Sequence, residues 1–286
     1  MNKYDYHMPE SLKEAHGLME KSKGGARYIA GGTDVMVRVR QGALEPDALI
    51  SLRHIGELEG IHWNGGLRLG SMTRFRDLER DKTLERTYAA LSQAVRVLAN
   101  PQVRNVATIG GNLANAAPSA DCAPPLLVLE AGCLVEGPGG ERTVPVDAFF
   151  QGPGETCMDG TEMLKAIEIP GLEKGAGTAF AKAGRVSQDI ALINAAALVV
   201  LEGGLCRTCR LAAGAVAPVP LRLKRAEEAV TGQEITPELL DRVKGLVEEE
   251  VSPITDVRST ADYRRIMSGV LVKRAIEQAV RDAGSE

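Results

Sequence analysis

Apolar residues recur with three different spacings along this 286-residue chain, and each spacing marks a kind of element. Positions 9–22 place Leu12, Ala15, Leu18 and Met19 on one face, which predicts an amphipathic helix ended by Gly24-Gly25. Short apolar runs at Tyr28-Ile29-Ala30 and at 49–52 predict buried strands, and Tyr4 and Tyr6 predict an edge strand. Between them 34–40 turns helical, with Thr33 or Asp34 near the N-cap. This order is a small βαβ-like unit. A hairpin is expected over 56–73, around Asn64-Gly65. A short helix starts at Thr73 or Arg74, and a longer one covers 84–98 until Asn100-Pro101 stops it. The stretch 105–121 reads as a loop. Pro124-Pro125 open a helix over 124–130, where a missing N–H does no harm. Residues 134–136 and 142–144 form a second hairpin, Gly152-Pro153-Gly154 breaks the chain, and 163–169 is a strand ended by Pro170.

Beyond the glycine-rich 170–177 the pattern changes. Strands are predicted over 178–182, 190–201 and 205–216, then helices over 221–231, 237–250 and 259–283. Strands followed by helices imply one sheet with helices packed on it, so the class is α+β. The expected division is 1–173, in two subdomains of about 1–55 and 56–173, followed by 174–286.

Composition narrows the possible partners. Aromatic residues make up 3% of the chain, too few for a base-stacking platform. A net charge of −4 argues against nucleic acid and anionic membrane surfaces. The longest apolar run, 190–201, is interrupted by Asn194 and is too short to span a bilayer. The polar start Met1-Asn2-Lys3-Tyr4-Asp5-Tyr6 has no apolar signal region, so a cytoplasmic protein is expected. Five scattered cysteines fit a reducing compartment. Cys206 and Cys209 form a C-x-x-C, but residues three apart on a strand point to opposite faces, and no second pair follows at zinc spacing. Two unpaired structural thiols are expected there. The histidines His7, His16, His54 and His62 lack ligand spacing, and no Ser-His-Asp set can be assembled.

The candidate chemistry lies in two glycine pairs, Gly31-Gly32 and Gly110-Gly111. Each follows a short apolar segment and has a hydroxyl residue beside it, Thr33 and Thr108. Without a Cβ, backbone can approach an anion closely, and successive N–H groups in such turns make an anion nest. Two such turns can close on one dinucleotide diphosphate. Neither is G-x-G-x-x-G or a P-loop. Asp121 reads equally as a solvated carboxylate, as the N-cap of the 124–130 helix, or as an acceptor for ligand hydroxyls. Lys182 reads as a solvated strand lysine or a ligand contact.

The order Tyr28–Asp34 (Y-I-A-G-G-T-D), 104–112 (R-N-V-A-T-I-G-G-N), 119–121 (S-A-D) and 162–170 (E-M-L-K-A-I-E-I-P) resembles the FAD-binding medium subunit of the molybdenum hydroxylases. These are the relatives of xanthine dehydrogenase and carbon monoxide dehydrogenase, and the resemblance covers essentially the whole chain. It implies a vanillyl-alcohol-oxidase-type FAD domain of two α+β subdomains, then a C-terminal α+β domain. It also implies residue roles. Arg27, Tyr28, Ile29, Ala30, Gly31, Gly32, Thr33 and Asp34 would wrap the pyrophosphate through backbone N–H groups. Ala107, Thr108, Ile109, Gly110 and Gly111 would close on it from the other side, with Thr108 donating its hydroxyl and Asn112 and Ser119 alongside. Asp121 would hold the ADP ribose or nearby polar atoms. Met163 or Leu164 would touch the adenine or flavin side, and Lys182 would sit near the flavin. Oxidases with this fold often carry a histidine in the first loop that bonds covalently to flavin; Thr33 and Asp34 stand here, so non-covalent FAD is expected. No cysteine-rich insertion suggests an added cluster.

The function implied is electron transfer. A large subunit would hold molybdopterin, a small one two [2Fe-2S] clusters, and this chain's FAD would pass electron pairs to an acceptor such as NAD+. A heterotrimer, or a dimer of heterotrimers, is the expected assembly. Such a task needs no general acid or base. The alternative is a stand-alone flavin-dependent reductase or oxidase, which needs a proton donor beside the flavin; 178–286 offers no clear serine–glutamate pair for it. A third reading, a scaffold that has lost flavin, sits poorly with two intact glycine turns.

Overall fold

The structure is a computed structural model that describes residues 3–284; Met1 and Asn2 of the polar start, with Ser285 and Glu286, lie outside that range. Its first sheet is the expected βαβ-like unit. Asp5–His7, Ala48–Ser51 and Ala26–Ile29 run parallel, with Ala48–Ser51 in the middle. Helix Leu12–Lys21 is capped by Ser11, whose hydroxyl accepts the Glu14 N–H at 3.2 Å. Leu12, Ala15 and Met19 bury against Ile50 and Leu52.

The second sheet is antiparallel, in the order Ile61–Trp63, Gly66–Gly70, Met163–Pro170, Gly132–Gly137, Gly140–Pro145. Both predicted hairpins are in it, and Gly65 takes φ +65° at the tip of the first. The third sheet is a meander of Ala176–Ala183, Ile193–Glu202 and Leu205–Gly214, extended by a two-residue edge strand, Leu221–Arg222. Helices Lys224–Val230, Pro237–Glu250 and Ala261–Ala283 follow. Because Leu221 and Arg222 pair with the sheet, the expected 221–231 helix starts later, at Lys224.

Strand Ile193–Glu202 explains its own apolar run. Ala195, Ala197 and Val199 face the helices, while Ala196, Leu198 and Val200 face the core of the second sheet. A strand covered on both sides shows no alternation. On the helix side, Gly177 lets Ala261–Ala283 press onto Ala176–Ala183: a Cβ there would overlap the Ala279 carbonyl and Ala283 backbone. The Thr178 N–H donates to Asp282 Oδ2 at 2.9 Å, pinning the same helix.

Four expectations are revised. The 84–98 helix is two, Lys82–Thr87 and Ala89–Val97, broken at Tyr88. Tyr88 is buried, donates its hydroxyl to Pro170 O at 2.7 Å and stacks on Trp63 with centroids 5.9 Å apart. Tertiary bonding of this one side chain outweighs helical continuity. The 105–121 loop contains a helix, Ile109–Ala114, with Thr108 as its N-cap. Asn100 also begins a turn rather than only ending one: it caps Pro101–Arg104 by accepting the Val103 N–H at 2.9 Å. Finally, Cys206 and Cys209 share a face. The register slips between Val200–Thr208 and Leu201–Cys206, leaving Arg207 as an extra bulge residue that turns both thiols into the core. Among the described residues, no helix is long and apolar enough to cross a membrane.

Candidate functional site

A cleft of about 500 Å³ lies where the first two sheets meet, with residues 188–190 of the C-terminal region at one end. The first glycine turn forms one wall. Tyr28, Ala30, Gly31, Gly32, Thr33 and Asp34 all line it. Gly32 has φ +76°, and a Cβ on Gly31 would overlap the Val106 carbonyl, so both positions require glycine. The chain turns sharply from strand Ala26–Ile29 into helix Val35–Arg40. Among the described residues, the N–H groups of Gly31, Gly32, Thr33 and Asp34 donate to no protein acceptor. The Asp34 side chain, among the described residues, makes no cap and accepts only the Thr33 hydroxyl, at 3.4 Å.

The second glycine turn forms the opposite wall, through Ala107, Thr108, Gly110, Gly111 and Asn112. Its amides are arranged differently. The Ala107 N–H goes to Val103 O at 2.8 Å, Ile109 to Thr73 O at 3.0 Å, and Gly110 to Ser71 O at 2.9 Å. The Gly111 N–H donates to Thr108 Oγ1 at 3.1 Å. Because that hydroxyl accepts from Gly111, its own proton stays available to a ligand. A Cβ on Gly110 would stand 2.6 Å from Ser71 O, and one on Gly111 would sit 3.0 Å from Thr108 Oγ1 and 3.5 Å from Ala30 Cβ, between the two walls.

Two buried polar atoms on the lining have no partner, Ser71 Oγ and Asn112 Oδ1. Buried polar groups are normally hydrogen-bonded, so unpartnered ones around a cleft mark where a polar ligand would complete the set. With the free amides of 31–34 and the Cβ-free approach, the lining suits a dinucleotide diphosphate. Sequence reasoning missed Ser71; it follows a hairpin strand that ends in the lone Gly70 rather than in a glycine pair.

Met163 and Leu164, both buried, line the far end with Met158 and Glu162. The Tyr28 hydroxyl reaches His16 Nδ1 at 3.2 Å and Thr161 O at 3.4 Å, and burial pushes it well above the usual phenol range, so it stays neutral. At the other end Ser119 and Asp121 line the cleft beside Ile190, Leu98 and Ala99. Asp121 is neither solvated nor a cap: it is buried, and the N-cap of Ala123–Val128 is Cys122. Its Oδ2 takes Lys182 Nζ at 2.6 Å and its Oδ1 takes Asn194 Nδ2 at 2.9 Å. Burial lifts Asp121 above the usual carboxylate range, while Lys182 and Asn194 pull it back. Four of the sequence candidates do not line the cleft. Ile29 and Ile109 are core residues, and Arg27 bonds Ala26 O at 3.0 Å on the surface. Lys182 stands behind Asp121, its Nζ also 3.3 Å from Val97 O.

The α+β fold and a cleft lined by two glycine-rich segments fit the class of flavin-binding subunits. Residues 2–172 match the family of the FAD-binding domain in molybdopterin dehydrogenase, and 178–279 that of the CO dehydrogenase flavoprotein C-terminal domain. The chain therefore belongs to the FAD-binding subunits of the molybdenum hydroxylase family, flavoprotein oxidoreductase subunits with the vanillyl-alcohol-oxidase-type fold. It is 34% identical to a putative xanthine dehydrogenase FAD-binding subunit of Escherichia coli over 98% of this chain and 97% of that one. It is 32% identical to the carbon monoxide dehydrogenase medium chain of Hydrogenophaga pseudoflava, over 97% of each. The solved carbon monoxide dehydrogenase of that organism superimposes with a TM-score of 0.95, at 33% identity, covering 98% of both chains.

Proposed function

We propose that this chain holds FAD non-covalently in the cleft and serves as the exit stage of a molybdenum hydroxylase complex. The observation that carries the reading is the row of four unengaged backbone amides, 31–34, facing a second glycine turn across a gap that a Cβ would fill. The amides of Gly31 to Asp34 would bind the diphosphate, with the Thr108 hydroxyl donating from the other wall. Ser71 and Asn112 would complete their hydrogen bonds to the same ligand. Met163 and Leu164 would bracket the adenine at one end; because Lys182 stands behind Asp121, we place that carboxylate beside the flavin ring rather than at the ADP ribose. Bound FAD accepts electrons singly and releases them in pairs. The residues here position it, exclude water and fix the local charge; no side chain has to move a proton.

The division 1–173 and 174–286 is proposed as FAD-binding and C-terminal flavoprotein domains. By kinship with chains from xanthine and carbon monoxide dehydrogenases, the partners proposed are a large molybdopterin subunit and a small subunit with two [2Fe-2S] clusters. NAD+ is the proposed acceptor, and the cytoplasm the proposed location. The test is reconstitution: the purified full chain, freed of flavin, is mixed with FAD and followed by flavin fluorescence and visible absorption. The wild type should quench and hold one FAD. Gly111→Val, which fills the gap between the walls, should hold none while keeping its far-UV spectrum. A normal flavin spectrum in that variant would refute the site.

A further inference from the structure

Asn194 belongs to strand Ile193–Glu202 of the third sheet and is completely buried, yet it reaches into the cofactor cleft's wall. Its Nδ2 binds Asp121 Oδ1, and its Oδ1 has no partner. Gly214, directly across the sheet in register, leaves room for this amide: a Cβ there would collide with Asn194 Oδ1 and stand 3.0 Å from Pro118 O. The next residue, Ala215, adopts φ +62° and donates its N–H to Pro118 O at 2.6 Å. The stretch that carries Ser119 and Asp121 into the cleft is thus gripped from the third sheet by Ala215, Asn194 and Lys182.

A buried asparagine can be a satisfied core residue and nothing more. Two observations argue for a larger role here. Half of its amide is left unsatisfied, which a purely structural residue would avoid. The other half divides the Asp121 carboxylate with Lys182, one oxygen each, and so fixes its plane. We propose that Asn194 is a positioning residue of the flavin site: it orients Asp121 against Lys182 and so sets the field the bound flavin ring experiences. This inference rests on the reading of the cleft as an FAD site.

The charged and titratable groups facing Asp121 are Lys182 and the Cys122 thiol. The latter is held well above the ordinary thiol range by burial and by Asp121, so it stays neutral. Without the Asn194 amide, the buried carboxyl takes up its proton at a higher pH. A neutral Asp121 leaves the Lys182 cation unbalanced beside the cleft, which favours the electron-rich reduced cofactor.

The test uses the FAD-loaded full chain. The midpoint potential of bound FAD is measured from pH 5 to 9 in wild type, Asn194→Leu, Asn194→Ser, Asp121→Asn and the double variant Asp121→Asn/Asn194→Leu. The serine hydroxyl is too short to reach Asp121, so that variant carries the test if the leucine variant does not fold. Both Asn194 variants should have a raised potential over the pH range in which Asp121 is protonated in the variant and still ionised in the wild type. The pH at which the potential changes slope should move up by about one to two pH units, the worth of a hydrogen bond to a charged group. In the Asp121→Asn background the second substitution should add nothing. Unchanged potentials in Asn194 variants that still bind FAD would overturn the proposal, as would a full Asn194 effect without Asp121. A wild-type chain that takes up no FAD would instead defeat the underlying reading of the cleft.

Discussion

Thr108 shows how one side chain can serve a fold and a ligand together. Its Oγ1 accepts the Gly111 N–H and caps Ile109–Ala114, and the residue lines the cleft with its own hydroxyl proton uncommitted among the described residues. Thr108→Val should therefore act twice. Losing the cap should lower stability by about 1 kcal/mol in chemical denaturation. Losing the donor should weaken FAD binding roughly tenfold. Full FAD affinity with reduced stability would leave the hydroxyl a purely structural part. The glycine pairs were legible in the sequence because each follows a short apolar segment with a hydroxyl residue close by. Asp121 was visible only as an ambiguity, since its partners, Lys182 and Asn194, lie 61 and 73 positions away. Ser71 was invisible: its significance comes from the Gly110 amide that settles on its carbonyl.

At the scale of elements, periodicity located the long strands and helices but not short ones such as Pro101–Arg104, Ile109–Ala114, Val146–Phe149 and Phe150–Gly152. It failed where a single tertiary contact decided the outcome. Residues 84–98 have a helical pattern throughout, yet Tyr88 leaves the helix to bond Pro170 and stack on Trp63. Tyr88→Phe keeps the ring and its stacking but removes the hydroxyl. It should lower stability by about 1 kcal/mol, the net worth of one such bond, when urea unfolding of the two proteins is compared. An unchanged midpoint would show that packing alone breaks the helix. The C-x-x-C pair illustrates the same limit. A strand alternates faces by strict count, and only the bulge at Arg207 resets that count for Cys206 and Cys209.

For the molecule as a whole, the sequence announced an α+β chain but not how its sheets are joined. Strand Ile193–Glu202 packs one face on its own helices and the other on the core of the second sheet. A two-sided apolar run carries no mark of which neighbour covers which side. The surface offers one more prediction. Val186, Ile190, Ile254, Val257 and Tyr263 are exposed, and Ile190 borders the cleft. Native mass spectrometry of the protein purified from its own cells should find this chain with two others, one carrying iron and sulfur and one molybdenum. A free monomer that turns over substrate by itself would contradict the assembly. One last consequence comes from the wall at 107–112. Five of its six amide hydrogens already serve Val103, Thr73, Ser71 and Thr108, so that side of the pocket is held by the protein's own bonds. Removing the flavin should leave a standing mould, and a newly made chain can finish folding first and be charged with its coenzyme afterwards.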